Sequence, residues 1–264
     1  MKKNIVIFLA TAILVYFAIF FSKKENGECS FCVQKGTEAL VVGTNAQFPP
    51  YEFLENGEIV GFDIDLIKEV ARRMGKEIHL KDLDFDMLLL EAEVGNIQVI
   101  AAALTPTPER EQKILFTQNY LEGDELIVVT RADNNSMPIN RQTELADLKG
   151  KEVVVNEGFT ADRYVSADPD IMIKRLGTVS DALLALSLGR ADAFVTAKSA
   201  VAPFFAQHDA ALFVTTALPV LEQYAFGVSK RHAHLLEPIR KSLEEIIRDG
   251  TLEKIKSKWH ILSS

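Results

Sequence analysis

Arg110 is the residue whose type and position best suit the binding of an anion. It closes the segment 105–110, in which Pro108 can occupy the first position of a short helix. A guanidinium group binds a carboxylate through two parallel hydrogen bonds, which an ammonium group does less well. Backbone N–H groups in a first helical turn add affinity for anions. The position therefore predicts a carboxylate-binding arginine, and a solvent-exposed surface arginine is the alternative.

The two cysteines, Cys29 and Cys32, have a spacing that could also do chemistry. A redox C-x-x-C motif needs a thioredoxin-like strand, turn and helix, which this polar stretch does not offer. A metal site would need two further ligands nearby. A local disulfide in an oxidising compartment is the ordinary interpretation, and lipid attachment at Cys29 stays open. We predict no metal site and no cofactor.

The composition is that of a globular protein and argues against the binding of nucleic acid. The 264 residues are 48% apolar and 25% charged, and 29 basic against 37 acidic side chains give a net charge of −8. Contacts to phosphates need clustered Lys and Arg, which an acidic chain does not favour. The length suits two lobes of roughly 100 residues each. The acidic run from Glu52 to Glu58 is expected to be a solvated face.

The N-terminal segment predicts export. A basic start precedes an uncharged run from Ile5 to Phe21. The run is long for the core of a signal peptide and only just long enough to span a membrane. For residues 1–22, a removed signal peptide and an uncleaved anchor therefore both stay open. In either case the rest of the chain is expected to be periplasmic or otherwise extracytoplasmic, with residues 23–38 as a linker.

Two successive series of alternating strands and helices follow. Apolar runs predict strands at residues 39–43, 78–80, 98–102, 124–130, 152–156, 171–176, 193–196, 212–215 and 224–228. The segments between most of these strands have apolar residues at helical spacing, which predicts helices there. Asp63 is the predicted N-cap of the first helix. This alternation predicts an α/β fold with largely parallel sheets in two halves. Ligands in such folds bind at the carboxyl ends of strands and in clefts.

Several segments in a fixed order carry a resemblance to a known family. They are Gly43-Thr-Asn-Ala-Gln-Phe-Pro-Pro-Tyr-Glu-Phe53, Val60-Gly-Phe-Asp-Ile-Asp-Leu66, Phe85-Asp-Met-Leu88, Thr105-Pro-Thr-Pro-Glu-Arg110 and Gly189-Arg-Ala-Asp-Ala193. From about residue 39 to the end, the chain resembles the family 3 extracellular solute-binding proteins, which serve ABC importers of polar amino acids. The first segment is most similar to that of chlamydial-type arginine-binding members.

The resemblance implies a two-lobed, type II periplasmic-binding-protein-like fold, each lobe with a mostly parallel sheet and flanking helices. Residues 39–124 and 224–264 would form lobe 1, and residues 130–219 would form lobe 2. A two-strand hinge would run through residues 125–129 and 220–223. The lobes of this family close on the ligand, so the site should lie between them.

The resemblance also implies which residues line that site. Arg110 would bind the ligand's carboxylate, and Thr105 and the backbone at Ala103 would complete the polar contacts. Core packing is the alternative for the two phenylalanines of lobe 1, and a turn hydroxyl is the alternative for Thr105. No catalytic residue is expected. The implied ligand-binding set is Asn45, Phe48, Phe85, Ala103, Thr105, Arg110, Gly158, Phe159 and Thr160.

One position departs from the family pattern. Counting from Gly189, the acidic residue that usually pairs with the ligand's α-ammonium group is replaced by Ala197. An ammonium group buried without an anion is costly. Three explanations stay open. Another acid, such as Glu157 or Glu222, takes the place of the missing one, or the alignment shifts by a residue or two. The third is that the ligand lacks an α-ammonium group.

By resemblance, the expected function is the capture of a polar amino acid, with basic ones among the candidates, and its delivery to a membrane ABC permease. A monomer without enzymatic activity is expected. The alternative is an enzyme on the same fold, similar to periplasmic cyclohexadienyl or arogenate dehydratases, with Glu157 as the candidate acid. A binder of a carboxylate that lacks an α-amine is a further alternative.

Overall fold

The computed structural model describes residues 39–134, 142–207 and 212–261. The predictions for residues 1–38, namely the export segment, the linker and the two cysteines, lie outside the described residues. Within the described residues, no helix is long and apolar enough to cross a membrane.

The described residues contain thirteen strands. They are β1 (Leu40–Thr44), β2 (Gln47–Phe48), β3 (Glu52–Glu55), β4 (Glu58–Val60), β5 (Ile78–Asp82), β6 (Val99–Ile100), β7 (Ile114–Phe116), β8 (Leu121–Arg131), β9 (Glu152–Asn156), β10 (Met172–Leu176), β11 (Ala193–Ala197), β12 (Phe213–Tyr224) and β13 (Gly227–Ser229). Six of them begin and end within two residues of a predicted strand, namely β1, β5, β6, β9, β10 and β11, and β8 begins three residues earlier than predicted. The hairpin strands β2 to β4 and the short β7 were not predicted, because each has too few residues to show a period.

Helices and short 3₁₀ turns connect the strands. The α-helices of the described residues are α1 (Phe62–Arg73), α2 (Phe85–Val94), α3 (Pro108–Lys113), α4 (Thr160–Val165), α5 (Val179–Ser187), α6 (Lys198–Gln207), α7 (Leu236–Arg248) and α8 (Thr251–Lys258). The 3₁₀ turns are Leu145–Leu148 and Lys230–Leu235. Pro108 stands at the start of α3, as predicted.

The strands form two five-stranded sheets and one small three-stranded sheet. The first sheet has the order β5-β1-β6-β13-β7, and the second has the order β10-β9-β11-β8-β12. In each, one side is parallel and the other antiparallel. The chain passes between the sheets twice, from β7 to β8 and from β12 to β13. The returning strands run against their neighbours, so the sheets are mixed.

Alternate residues of the central strands pack on opposite faces of each sheet, which explains why helices cover both faces. In β9, Val153 and Val155 pack with the apolar side chains of α4, whereas Val154 packs with those of α5. A strand buried on both faces is continuously apolar rather than alternating. Each such buried valine stabilises the fold by about 1.5–3 kcal/mol.

The prediction of Asp63 as an N-cap is wrong. Helix α1 is preceded by Gly61 in the N-cap position, with a φ of 135°. A Cβ atom there would lie 2.0 Å from the carbonyl oxygen of Tyr51, so only glycine fits. Asp63 lies inside the helix and is fully buried. Its carboxylate accepts hydrogen bonds from the Ala103 amide (2.8 Å) and the Tyr120 hydroxyl (2.5 Å).

The two strands predicted at 212–215 and 224–228 are also placed differently. Residues 213–224 form one strand, and β13 begins only at Gly227. Pro219 lies inside β12 and obscured its continuity in the sequence. A proline is tolerated there because β12 is an edge strand, and the pairing with β8 shifts register between Ala217 and Leu221.

Candidate functional site

A small closed cavity lies where the first sheet's elements meet those of the second. It is lined by Phe48, Glu52, Phe85, Ala102, Ala103, Arg110, Phe159, Thr160, Glu222 and Tyr224. It offers about 20 Å³ to the centre of a water-sized sphere, which is room for about one water molecule. A ligand as large as an amino acid therefore needs the two sides to move apart before it can enter.

Arg110 is buried in this cavity rather than exposed to solvent, with only 1% of its surface accessible. Its amide donates to the hydroxyl of Thr107, which caps α3. The guanidinium donates from Nη1 to the Thr105 carbonyl (2.7 Å) and from Nη2 to the Gly158 carbonyl (3.0 Å). Within the described structure its Nε has no hydrogen-bond partner.

The charge of Arg110 persists at neutral pH. Burial lowers its pKa to about 10, and the negative charge of Glu222 opposes that effect. Its guanidinium also lies 5.5 Å from the centre of the Phe85 ring, within the range of a cation–π contact. The side chain thus brings a positive charge to a small buried cavity, where an anion is bound more strongly than in water.

Three phenylalanines form the apolar wall and join the two sides of the cavity. Phe159 lies edge-on to Phe48, with ring centres 5.8 Å apart, and it packs on Phe85 at 4.5 Å. Phe48 also stacks on Tyr51. All three predicted phenylalanines therefore come together, and the large residue at position 159 fills space between the two sides.

Ala103 lines the cavity, whereas Thr105 is not a lining residue but contacts two of them, Arg110 and Glu222. The hydroxyl of Thr105 donates to Glu222 Oε1 at 3.2 Å, and its carbonyl accepts from Arg110. Ala103 adopts a left-handed φ of 43°, and its amide donates to Asp63. That unusual conformation costs on the order of 1–3 kcal/mol, and the buried Asp63 holds it in place. The Ala103 N–H is thus taken before any ligand arrives.

Two further predicted residues, Asn45 and Gly158, do not line the cavity either. Asn45 is not among the lining residues: its side-chain amide donates to the Leu83 carbonyl at 2.9 Å. The amide of Gly158 donates to the Asp162 carboxylate at 3.1 Å. In this closed arrangement Gly158 offers its carbonyl to Arg110, whereas Thr160 does line the cavity.

Sequence reasoning missed three lining residues, Ala102, Tyr224 and Glu52, and Glu52 is the acidic one among them. The interpretation of its acidic run as a solvated face is wrong for this residue, which is only 1% exposed. Its Oε2 has no hydrogen-bond partner within the described structure. Burial, and then the charge of Asp63, raise the pKa of Glu52 well above its ordinary range. The apolar neighbours on each side in Tyr-Glu-Phe were the signal that could have revealed its burial.

The structure distinguishes between the two acids that were considered as substitutes for the acidic residue missing at position 197. Glu157 is exposed at the end of β9 and does not line the cavity. Glu222 lines the cavity and is 7% exposed. Burial raises its pKa, and the charge of Asp124 adds to that effect, whereas Thr160, Thr105 and Arg110 oppose it.

One ion pair at the rim connects the two sides of the cavity. The guanidinium of Arg163, in α4, pairs with the carboxylate of Glu109, in α3. Together with the Arg110–Gly158 hydrogen bond, it joins the two halves in the closed arrangement. Among the described residues, no group of three or more His, Cys, Asp or Glu side chains could hold a metal ion.

Comparison with known proteins agrees with this architecture. The chlamydial relative is the probable ABC transporter arginine-binding protein ArtJ of Chlamydia trachomatis, 27% identical over 98% of this chain and 96% of that protein. The structure of an ancestral arginine-binding protein bound to arginine is 36% identical, with a TM-score of 0.76, over 84% of this chain and 97% of that one. The arginine-, lysine-, histidine-binding protein ArtJ from Geobacillus stearothermophilus is 25% identical, with a TM-score of 0.76, over 86% and 97%.

These solved structures confirm the predicted two-lobed α/β fold. The model of the family described as bacterial extracellular solute-binding proteins, family 3, matches residues 40–261. That range includes every residue of the cavity and both crossings between the sheets. The chain belongs to the bacterial extracellular solute-binding proteins of family 3, which bind solutes and are not enzymes.

Proposed function

We propose that this protein captures a basic amino acid between its lobes and delivers it to an ABC importer in the membrane. The observation that carries the proposal is the set of charges in the cavity. One buried guanidinium, on Arg110, faces a cavity that also contains the buried carboxylates of Glu52 and Glu222. A ligand with one carboxylate and two cationic groups complements that set.

The raised pKa values of the two glutamates fit this ligand class. Each carboxyl is costly to ionise because it is buried, and the charge of Arg110 offsets that cost only in part for Glu222. A ligand cation placed beside it lowers the pKa and restores the charge. A neutral side chain, such as that of glutamine, would not relieve this cost at both positions.

The apolar wall supports the same class. The alkyl part of a long side chain can pack against Phe48, Phe85 and Phe159, and a planar guanidinium can stack on their rings. The names of several relatives refer to arginine, or to arginine, lysine and histidine. One ancestral protein of this type was also solved with glutamine, so the panel of ligands tested must include it.

Delivery requires an extracytoplasmic location, a permease partner and a movement that opens the cavity. We propose a monomer in the periplasm or outside the cell, held at the membrane if the N-terminal run is not cleaved. The proposed hinge is at residues 125–129 and 220–223, in the long strands β8 and β12. Within the described residues, the chain crosses between the sheets at the start of β8 and at the end of β12, which supports the range 220–223. Residues 126–129 pair with β11 in the middle of the second sheet, so we expect the bending of β8 near its start at Leu121.

The test is calorimetric titration of the purified protein with arginine, lysine, histidine, glutamine, glutamate and prephenate. We expect a basic amino acid to bind at least ten-fold more tightly than glutamine, since a hydrogen bond to a charged group contributes about 1.5–3 kcal/mol. Glu52→Gln should reduce that preference, because it removes one anion from the cavity. Glu157→Gln is the matched control, since Glu157 is exposed and should leave the preference unchanged. Tightest binding of glutamate or prephenate would overturn the proposal.

A further inference from the structure

Alanine at position 197 cannot bind an ammonium group, yet an amino acid ligand needs an anion for that group. Ala197 ends β11, pairs with Leu126 of β8 and does not line the cavity. We propose that Glu222 binds the α-ammonium group of the ligand. This inference rests on the proposed function and adds the residue that recognises the α-amine.

Geometry places Glu222 next to Arg110, the proposed binding site for the ligand's α-carboxylate. The α-amino and α-carboxyl groups share one carbon atom, so their protein partners must be neighbours. Thr105 connects the two partners directly: its carbonyl accepts from Arg110 at 2.7 Å, and its hydroxyl donates to Glu222 at 3.2 Å. Arg110 and Glu222 also interact electrostatically, although no ion pair within 4.0 Å joins them in the described structure. They therefore form the two sides of one subsite rather than a closed salt bridge.

The donors around Glu222 in the closed arrangement are neutral hydroxyl groups. The Thr105 hydroxyl lies 3.2 Å from Oε1, which is longer than the 2.5–3.0 Å range of good O–H···O bonds, and Thr160 is a second hydroxyl donor. The Tyr224 hydroxyl lies 3.3 Å from Oε2, but it donates its one proton to Asp124 at 2.6 Å. A cationic N–H donor would make a stronger bond to the same carboxylate.

The neighbouring acids are less suited to the α-ammonium group. Asp124 already accepts from the Ser199 amide and hydroxyl and from the Tyr224 hydroxyl (2.6 Å). Asp63 accepts from an amide and a hydroxyl and does not line the cavity. Glu52 lines the cavity, but the hydrogen bonds of Thr105 join Arg110 to Glu222 and not to Glu52. This bridge assigns Glu222 to the α-amine and leaves Glu52 for the side-chain cation.

The experiment compares ligands that differ only in the α-amino group. Arginine and 5-guanidinopentanoate form one pair, and lysine and 6-aminohexanoate form the second. Each is titrated calorimetrically into the full chain and into Glu222→Gln, which keeps the shape of the side chain and removes its charge. Glu157→Gln serves as the matched control, since it makes the same change at an exposed position.

We expect Glu222→Gln to weaken binding of the parent amino acid by about 10- to 100-fold, the range for a lost hydrogen bond between charged groups. Binding of the analogue without the α-amine should change by less than about three-fold. This difference between the two ligands is a readout that a merely structural role of Glu222 would not produce. If Glu222→Gln does not fold, Glu222→Asp takes its place, with a smaller selective loss expected.

Two outcomes would overturn the inference alone. One is an equal loss for both members of a pair, and the other is wild-type protein that binds both members equally well. In either case the wild-type protein still binds a basic amino acid, so the proposed function stands. Failure of the wild-type protein to bind any basic amino acid would instead overturn the proposed function and the inference together.

Discussion

At the residue scale, buried charges dominate the behaviour of the cavity and its surroundings. Arg110, Glu52 and Glu222 face one small space, and Asp63 lies fully buried behind Ala103. Each such group carries a desolvation cost, which a ligand or a hydrogen bond must offset. Groups of this kind cluster at functional sites, because ligand binding is what relieves their cost.

Asp63 makes the stability of the fold depend on pH. Burial raises its pKa from 3.8 to about 7, against the effect of its two hydrogen bonds. The folded state therefore holds this proton more tightly than the unfolded state does. Its contribution to stability is greatest below the unfolded pKa and is lost as the pH rises through about 7.

Asp63→Asn should therefore stabilise the protein at pH 8 relative to the wild type, by on the order of a few kcal/mol, with less advantage at pH 4. An asparagine can still accept the two hydrogen bonds and never has to ionise. Urea denaturation from pH 4 to pH 8 measures the effect, with the exposed Glu157→Gln as the control. A pH dependence that is parallel in variant and wild type would contradict the interpretation.

At the scale of elements, α3 and α4 hold the two sides of the cavity together. Both are short helices at the carboxyl ends of strands, and their side chains meet at the rim through Glu109 and Arg163. The pair is largely exposed, so its net contribution is on the order of 0.2–1 kcal/mol. Because it joins the halves only when they are closed, it should act on closure rather than on the fold.

Glu109→Gln is expected to reduce the affinity for every ligand by the same factor, up to about five-fold, mainly because the ligand is released faster. The effect should disappear at high salt, because exposed ion pairs are screened. Stopped-flow release of the best ligand at low and high salt measures it. Glu111→Gln, on the same helix, is the matched control. A change in ligand selectivity would show that Glu109 contacts the ligand instead.

At the scale of the whole molecule, two mixed sheets joined by two long strands form a structure that can open. The cavity of about 20 Å³ admits no amino acid while it is closed. Ligand exchange therefore requires the lobes to separate, and closure on the ligand then removes water and strengthens each charged contact.

The free protein in solution is expected to be more open than the closed arrangement, and ligand should shift it to the compact form. Small-angle X-ray scattering measures this as a decrease in the radius of gyration when the best ligand is added. Arg110→Ala should show no such decrease at the same ligand concentration, because it lacks the proposed carboxylate contact. An unchanged radius in the wild-type protein at saturation would contradict the closing movement.

The sequence by itself determined the class of the fold and the position of Arg110. Apolar runs such as Val153 to Val155 reveal buried strands, because their signal is local and depends only on neighbouring side chains. The burial of Arg110 fits the prediction of an anion site, and its role in binding stays a prediction. The segments that carried the family resemblance are likewise contiguous in the chain, so they could be recognised without coordinates.

Only the tertiary structure decided the placement of Glu52, Asp63 and Glu222. Each is a charged residue whose burial depends on elements far away in the sequence: Asp63 is held by Ala103 and Tyr120, and Glu222 meets Thr105. Local patterns assign such residues to caps or solvated faces, because charged groups are rarely buried. The reason is physical: the partners that make a buried charge tolerable come together only when the chain folds.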